Sequence, residues 1–150
     1  MFKRILVPTD GSNEARAAGE QAIDLARTVG ASIVALHVAP EFPIEYFEDF
    51  VPPPETTRDM WHAGMRKAAE RHFKRLQEAA DAAGVALSTE VVFDARPADA
   101  ISTAARVHIC DLIVMGPRGR GGIAAYLLGS VTTRVLGASR VPVLVHRRVA

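Results

Sequence analysis

Four glycines fall within the seven residues Gly116-Pro117-Arg118-Gly119-Arg120-Gly121-Gly122, and Gly129-Ser130 follows shortly after. Glycine lets the main chain turn sharply and lie against a ligand with no Cβ between them, while free amides at a helix N-terminus favour an anion. With the hydroxyl of Ser130 and the charges of Arg118 and Arg120 added, the segment describes a phosphate cradle. The alternative is a solvated surface loop leading into an ordinary capped helix. A second group, Pro8-Thr9-Asp10-Gly11, follows the apolar run Ile5-Leu6-Val7 and offers one carboxylate. Asp10 either meets a ligand there or caps the helix that follows.

Other chemistries fit less well. The pattern G-x-x-x-x-G-K-[ST] is absent, which excludes the lysine-centred phosphate loop. Gly119-Arg120-Gly121-Gly122-Ile123-Ala124 matches G-x-G-x-x-A, but a dinucleotide fold opens its helix directly after the strand and needs an acid about twenty residues on. No Asp or Glu follows Asp111, so NAD is not the expected ligand. His37, His62, His72, His108 and His146 show neither H-x-x-x-H nor H-E-x-x-H spacing, and no metal centre is expected from them. His37 reads as a strand residue beside the ligand site, where its titration would tune binding. Cys110, the single cysteine, reads as a small buried residue.

The composition narrows the class further. The 150 residues are 49% apolar, with 18 basic and 17 acidic side chains and a formal net charge of +1. That balance argues against an electrostatic nucleic-acid binder and against wholesale disorder. One cysteine cannot form an internal disulfide, no run approaches a membrane span of roughly 18 residues, and the opening apolar stretch is too short for a secretory signal. The expectation is a cytoplasmic protein with no membrane contact.

Short apolar runs rich in β-branched residues alternate with alanine-rich stretches of helical spacing, the pattern of repeated βαβ units. Ile5-Leu6-Val7 is the first strand. Ser12 caps a helix with Ala15, Ala18, Ala22, Leu25, Ala26 and Val29 on its inner face, and Gly30 ends it. Ile33 to Val38 is the second strand. The Pro- and aromatic-rich stretch from Pro40 to Thr57 is irregular, either packed on the protein itself or on a second copy, or else a lid or docking patch.

A long helix runs from Arg58 to Ala83 with Trp61, Met65, Ala68, Ala69, Phe73, Leu76, Ala80 and Ala83 inward and Gly84 as its stop, then a strand from Val85 to Phe93. Pro97 starts a third helix with Ile101, Ala104 and Ala105 inward. Leu112 to Met115 is the fourth strand, Leu128, Val131, Val135 and Ala138 form a fourth helical face, and Val141 to Val145 is the last strand. Pro142 lacks an amide donor, which places that strand at an edge or delays its pairing. Right-handed crossovers turn this alternation into an α/β, doubly wound parallel sheet with helices on both faces, whose ligands bind beyond the carboxyl ends of the strands.

The spacing Gly116-x2-Gly119-x9-Gly129-Ser130, the opening Ile5 to Ser12, the segment Leu36-His37-Val38 and the close Val141 to Val145 resemble the universal stress protein family, in its ATP-binding branch, along essentially the whole chain. The resemblance implies one domain over residues 1–150 and a five-stranded sheet of order 3-2-1-4-5, of the adenine nucleotide alpha hydrolase kind. It implies that Val7, Pro8, Thr9 and Asp10 line the adenosine site, with Asp10 at the ribose hydroxyls or the metal-bound phosphates, and that Val38 faces the adenine. Met115 and Gly116 would lie near the ribose; Gly119, Gly129, Ser130 and Val131 would supply phosphate contacts, with Arg118 adding charge.

ATP, with AMP or ADP as alternatives, and Mg2+ carried on the phosphates are the implied cofactors. A homodimer paired through Val141 to Val145 and an unidentified regulatory protein are the implied partners. Pro117 stands where the family often has Ser or Thr, and its missing amide bears on the middle and terminal phosphates. The expected activity is regulatory ATP binding; a slow ATP hydrolase or phosphotransferase and a nucleotide-free dimerisation module are the alternatives.

Overall fold

The computed structural model describes residues 1–42, 57–120 and 127–148. Among these the order of elements is β1 (Arg4–Pro8), α1 (Asn13–Val29), β2 (Ser32–Ala39), α2 (Arg58–Ala83), β3 (Leu87–Phe93), α3 (Pro97–Val107), β4 (Leu112–Met115), α4 (Ser130–Ala138) and β5 (Val143–Val145). The five strands form one sheet of order β3-β2-β1-β4-β5, and each neighbouring pair is parallel. The chain therefore winds outward from β1 to β3 and returns to the other side of β1 at β4. The carboxyl ends of β1 and β4 flank this reversal.

Strand side chains alternate between two cores. Ile5, Val7, Ile33, Ala35, Leu112 and Val114 pack with α1 and α2, while Leu6, Val34, Leu36, Ile113 and Met115 pack with α3 and α4. Both faces of the central strands are covered, which is why these runs are continuously apolar. α1 starts with the Ser12 hydroxyl accepting from the Ala15 amide and ends on Gly30 at φ +71°; α2 starts on Thr57 and ends on Gly84 at φ +68°. Both terminations fit left-handed glycine caps.

Several boundaries differ from the sequence reading, each for a physical reason. β3 begins at Leu87, because the Val85 amide is spent on the Ala80 carbonyl in closing α2. β5 begins after Pro142, whose carbonyl accepts from the Ile113 amide, as its missing donor requires. On α2 only Ala69, Phe73, Leu76 and Ala80 are buried; Trp61, nearer the start, instead donates from Nε1 to the Pro40 carbonyl and meets Phe42 edge-on. On α4 Leu128 precedes the helix and Ala138 is exposed, so the buried pair is Thr132 and Val135. Most of the irregular stretch from Pro40 to Thr57, and the Gly121 to Ala124 part of the glycine-rich segment, lie outside the described residues. Among the described residues no helix is long and apolar enough to cross a membrane.

Candidate functional site

Beyond Pro8 the Thr9 amide donates to the Leu36 carbonyl at 2.8 Å, carrying the β1–β2 ladder one residue past the proline. The chain then turns on itself. Thr9 Oγ1 accepts from the Gly11 amide at 3.2 Å, and Asp10 Oδ1 accepts from the Ser12 amide at 2.9 Å. Gly11 takes φ +77° in this turn, a conformation open to glycine at no steric cost. Asp10 thus holds the turn before α1 while Ser12 is the cap, so the capping alternative for Asp10 does not hold.

Asp10 Oδ2 accepts from the Arg120 amide at 2.9 Å, so the carboxylate lies across the glycine-rich loop. A Cβ on Gly119 would stand 2.3 Å from that oxygen, which makes glycine the residue that admits the approach. Burial, the largest single influence, pushes the Asp10 carboxyl up, but hydrogen bonds from Ser12 and Arg120 outweigh it and hold the group below its ordinary value. It is an anion at neutral pH.

The other side of the site is built from β4 and α4. A Cβ on Gly116 would come within 3.1 Å of the Glu14 backbone, so this glycine lets β4 end against the head of α1. The buried Thr132 hydroxyl donates to the Gly116 carbonyl at 3.1 Å, and the Gly129 amide donates to the Pro117 carbonyl at 2.7 Å. These two bonds dock the start of α4 beside the end of β4. Gly129 caps α4 without a side-chain partner, so amides of its first turn have no cap of that kind. Arg118 reaches Glu14, Nη2 to Oε1 at 3.6 Å, with both side chains mostly buried.

Between these walls lies a cavity of about 220 Å³. Leu36, Val38, Pro97, Ile101 and Met115 give it an apolar end; Asp10, Gly116, Arg118 and Gly119 give it a polar one. Pro8, Thr9, Ala15, Val131 and Thr132 complete the lining. Of the residues the sequence singled out, Pro8, Thr9, Asp10, Val38, Met115, Gly116, Arg118, Gly119 and Val131 come together here. Val7 is packed on the opposite face against α1 and α2, and Gly129 and Ser130 stand at the head of α4 beside the cavity's Val131. Sequence reasoning missed Ala15, Leu36, Pro97, Ile101 and Thr132 as lining residues. Pro97 was legible as a helix start, but only the packing of α3 shows that this helix closes the apolar end.

Two polar features lie at the margin. His37 Nδ1 donates to the Thr9 carbonyl at 2.8 Å, which fixes the tautomer and braces the turn from β2. Cys110 is buried, and burial pushes its thiol up to about 11, so it is a protonated core residue. Among the described residues no three His, Cys, Asp or Glu side chains converge on a metal position.

The chain that carries this crevice at the reversal of strand order has relatives among known proteins. Universal stress protein MJ0531 of Methanocaldococcus jannaschii is 31% identical over 148 residues, covering 99% of this chain and 84% of the relative. A universal stress protein of Thermus aquaticus is 33% identical over 147 residues, covering 98% of this chain and all of the relative. A solved universal stress protein in complex with cAMP superposes with a TM-score of 0.69 at 26% identity, over 97% of each chain. The sequence profile of the Universal stress protein family matches residues 1–147. By the strand order, by the glycine spacing around its crevice and by this match along nearly its full length, the chain belongs to the universal stress protein family.

Proposed function

We propose that the protein is a regulatory ATP-binding protein that holds the nucleotide between the turn after β1 and the glycine-rich loop after β4. The observation that carries this reading is the polarity of the cavity. Its apolar end, with Val38 and Ile101, suits a flat heterocycle, and its other end is lined by Gly116, Gly119 and Asp10, with the head of α4 beside Val131. A carboxylate matches the paired hydroxyls of a ribose as acceptor to donors, and the head of α4 matches a phosphate. The complex of a related protein with cAMP supports an adenine nucleotide as the class of ligand.

Asp10 is the only carboxylate lining the cavity among the described residues, and each of its oxygens accepts one amide. The second lone pair of either oxygen is open to Mg2+, whose remaining positions phosphates and water would fill, the arrangement this ion favours. Such an ion would neutralise phosphate charge; Asp10 and the α4 head would orient the tail. The same Asp10, engaged by two amides and held acidic, makes a poor base for activating water, so binding and not turnover is the function this geometry favours.

Among the described residues β5 has only β4 as a neighbour, and Leu144 on it and Leu136 on α4 are exposed. This free edge is the surface we assign to pairing with a second copy of the chain.

Differential scanning fluorimetry tests the reading. Ligand bound only to the folded state raises the melting temperature with concentration. A shift with ATP and magnesium, absent with GTP, is expected, together with an adenine nucleotide in the mass spectrum of protein purified without added ligand. No shift at millimolar ATP removes the proposal.

A further inference from the structure

We propose that a second cavity, on the α1–α2 face of the sheet, is a binding site for a tetrahedral oxyanion of the phosphate class. The cavity, about 220 Å³, is walled by Arg16 from α1 and by Arg71, His72 and Arg75 from α2, and it shares Thr9 with the nucleotide cleft. Three arginines and a histidine therefore line one small space. Arg71 and Arg75 stand one helical turn apart, a repulsive spacing for like charges. Among the described residues no carboxylate pairs with either, and Arg16 has only Glu20 at 4.0 Å, a largely solvated contact that contributes little. Guanidinium groups offer fixed forks of donors that match phosphate oxygens two at a time.

The imidazole lies close over the turn: a Cβ on Gly11 would fall 2.2 Å from His72 Nδ1. Its ring centroid is 5.2 Å from that of His37. Burial first, then the neighbouring His37, Arg120 and Arg71, hold His72 below its ordinary value against the opposing pull of Asp10. Among the described residues the lining of this space carries three arginines and no carboxylate. Free phosphate and a phosphoryl group carried on a small molecule, a nucleotide tail included, share the chemistry that fits.

The test titrates inorganic phosphate into the full chain at constant ionic strength while the His72 ring resonances are followed, with potassium chloride as control and R71Q/R75Q as the variant. A saturable shift with a midpoint below about 10 mM is expected, weakened about tenfold or more in the variant as charged donors are lost. Displacement of phosphate by ATP but not by AMP identifies a nucleotide tail as the source, and displacement by neither identifies an independent anion; both uphold the site. A His72 shift that chloride reproduces, or one that R71Q/R75Q leaves intact, overturns it. Arg71 and Arg75 are exposed residues outside the cleft, so AMP affinity on the same samples reports the nucleotide reading separately.

Discussion

Asp10 and Arg120, 110 positions apart in the chain, are joined by a hydrogen bond of 2.9 Å from the Arg120 amide to Asp10 Oδ2. The other oxygen of the same carboxylate accepts from Ser12 at the head of α1. A single side chain thus ties the turn after β1 to the loop after β4, across the reversal of the sheet. Hydrogen bonds to a charged group are stronger than neutral ones, and this tie sets the width of the cleft's polar end.

Replacing Asp10 with Asn places an amide N–H against one of the two backbone donors. The substitution should cost about 1–2 kcal/mol of stability at neutral pH, the lower part of the range for charge-assisted bonds because the group is only half-buried, read as a lower midpoint in urea. The pH dependence has a definite sign. A carboxyl held below its ordinary value of 3.8 contributes stability that is fully present above that pH and is lost as pH falls through the lower value of the folded state. D10N should therefore flatten the acid limb of the stability curve below about pH 4, and an unchanged acid limb would show that Asp10 is not anchored as described.

Gly119→Ala tests the same tie from the other side. The new methyl would stand 2.3 Å from Asp10 Oδ2, and the side chain can swing away, so the fold should survive while the link to Arg120 is lost. Nucleotide affinity should fall about tenfold or more, as a misplaced charged group is expected to cause, against a stability loss no larger than that of D10N. Because both changes remove one interaction, the double variant should be far less destabilised than the sum of the two. Additive losses in a double-mutant cycle would separate Gly119 from Asp10.

Thr132→Val keeps the shape of a buried side chain and removes its hydroxyl, leaving the Gly116 carbonyl without the 3.1 Å donor that docks α4. An orphaned buried acceptor costs about 1–3 kcal/mol. Chemical denaturation should show a loss in that range, and phosphate-dependent affinity should drop more than adenosine affinity, since α4 supplies the anion end. Equal loss for both ligands contradicts this division of the cleft.

How legible each part was follows from where its signal lies. Ile5 to Val7, Leu112 to Val114 and the alanine face of α1 read correctly because burial on both faces of a parallel sheet leaves unbroken apolar runs and a simple helical stripe. Pro142 signalled an edge position or a delayed start, and β5 shows both, at the end of the sheet and beginning at Val143 instead of Val141. α4 misled for the converse reason: it flanks the edge strand, so Leu128 and Leu136 are exposed while polar Thr132 is buried through a partner sixteen residues away. Periodicity cannot register such a partner. The glycines of the cleft were visible by spacing alone, whereas the Arg118 pairing with Glu14 and the contribution of Ile101 from α3 arise only when distant segments pack.

Cys110 offers a last check on the core beneath β4. Its thiol is buried, and burial pushes its pKa from 9.0 up to about 11. The thiolate is the reactive form, so at pH 8 only about one molecule in a thousand carries it in the folded state. Labelling by Ellman's reagent should proceed far more slowly than with a free thiol and should accelerate in urea in step with unfolding. The linkage runs opposite to that of Asp10. A folded-state value raised above the unfolded one gives stability that is complete below pH 9 and declines as pH rises through about 11. Cys110→Ala removes that alkaline decline at the expense of a small cavity, about 1 kcal/mol or somewhat more. Rapid stoichiometric labelling of the native protein at pH 8 would place the thiol at the surface and contradict the packing of α3 against β4.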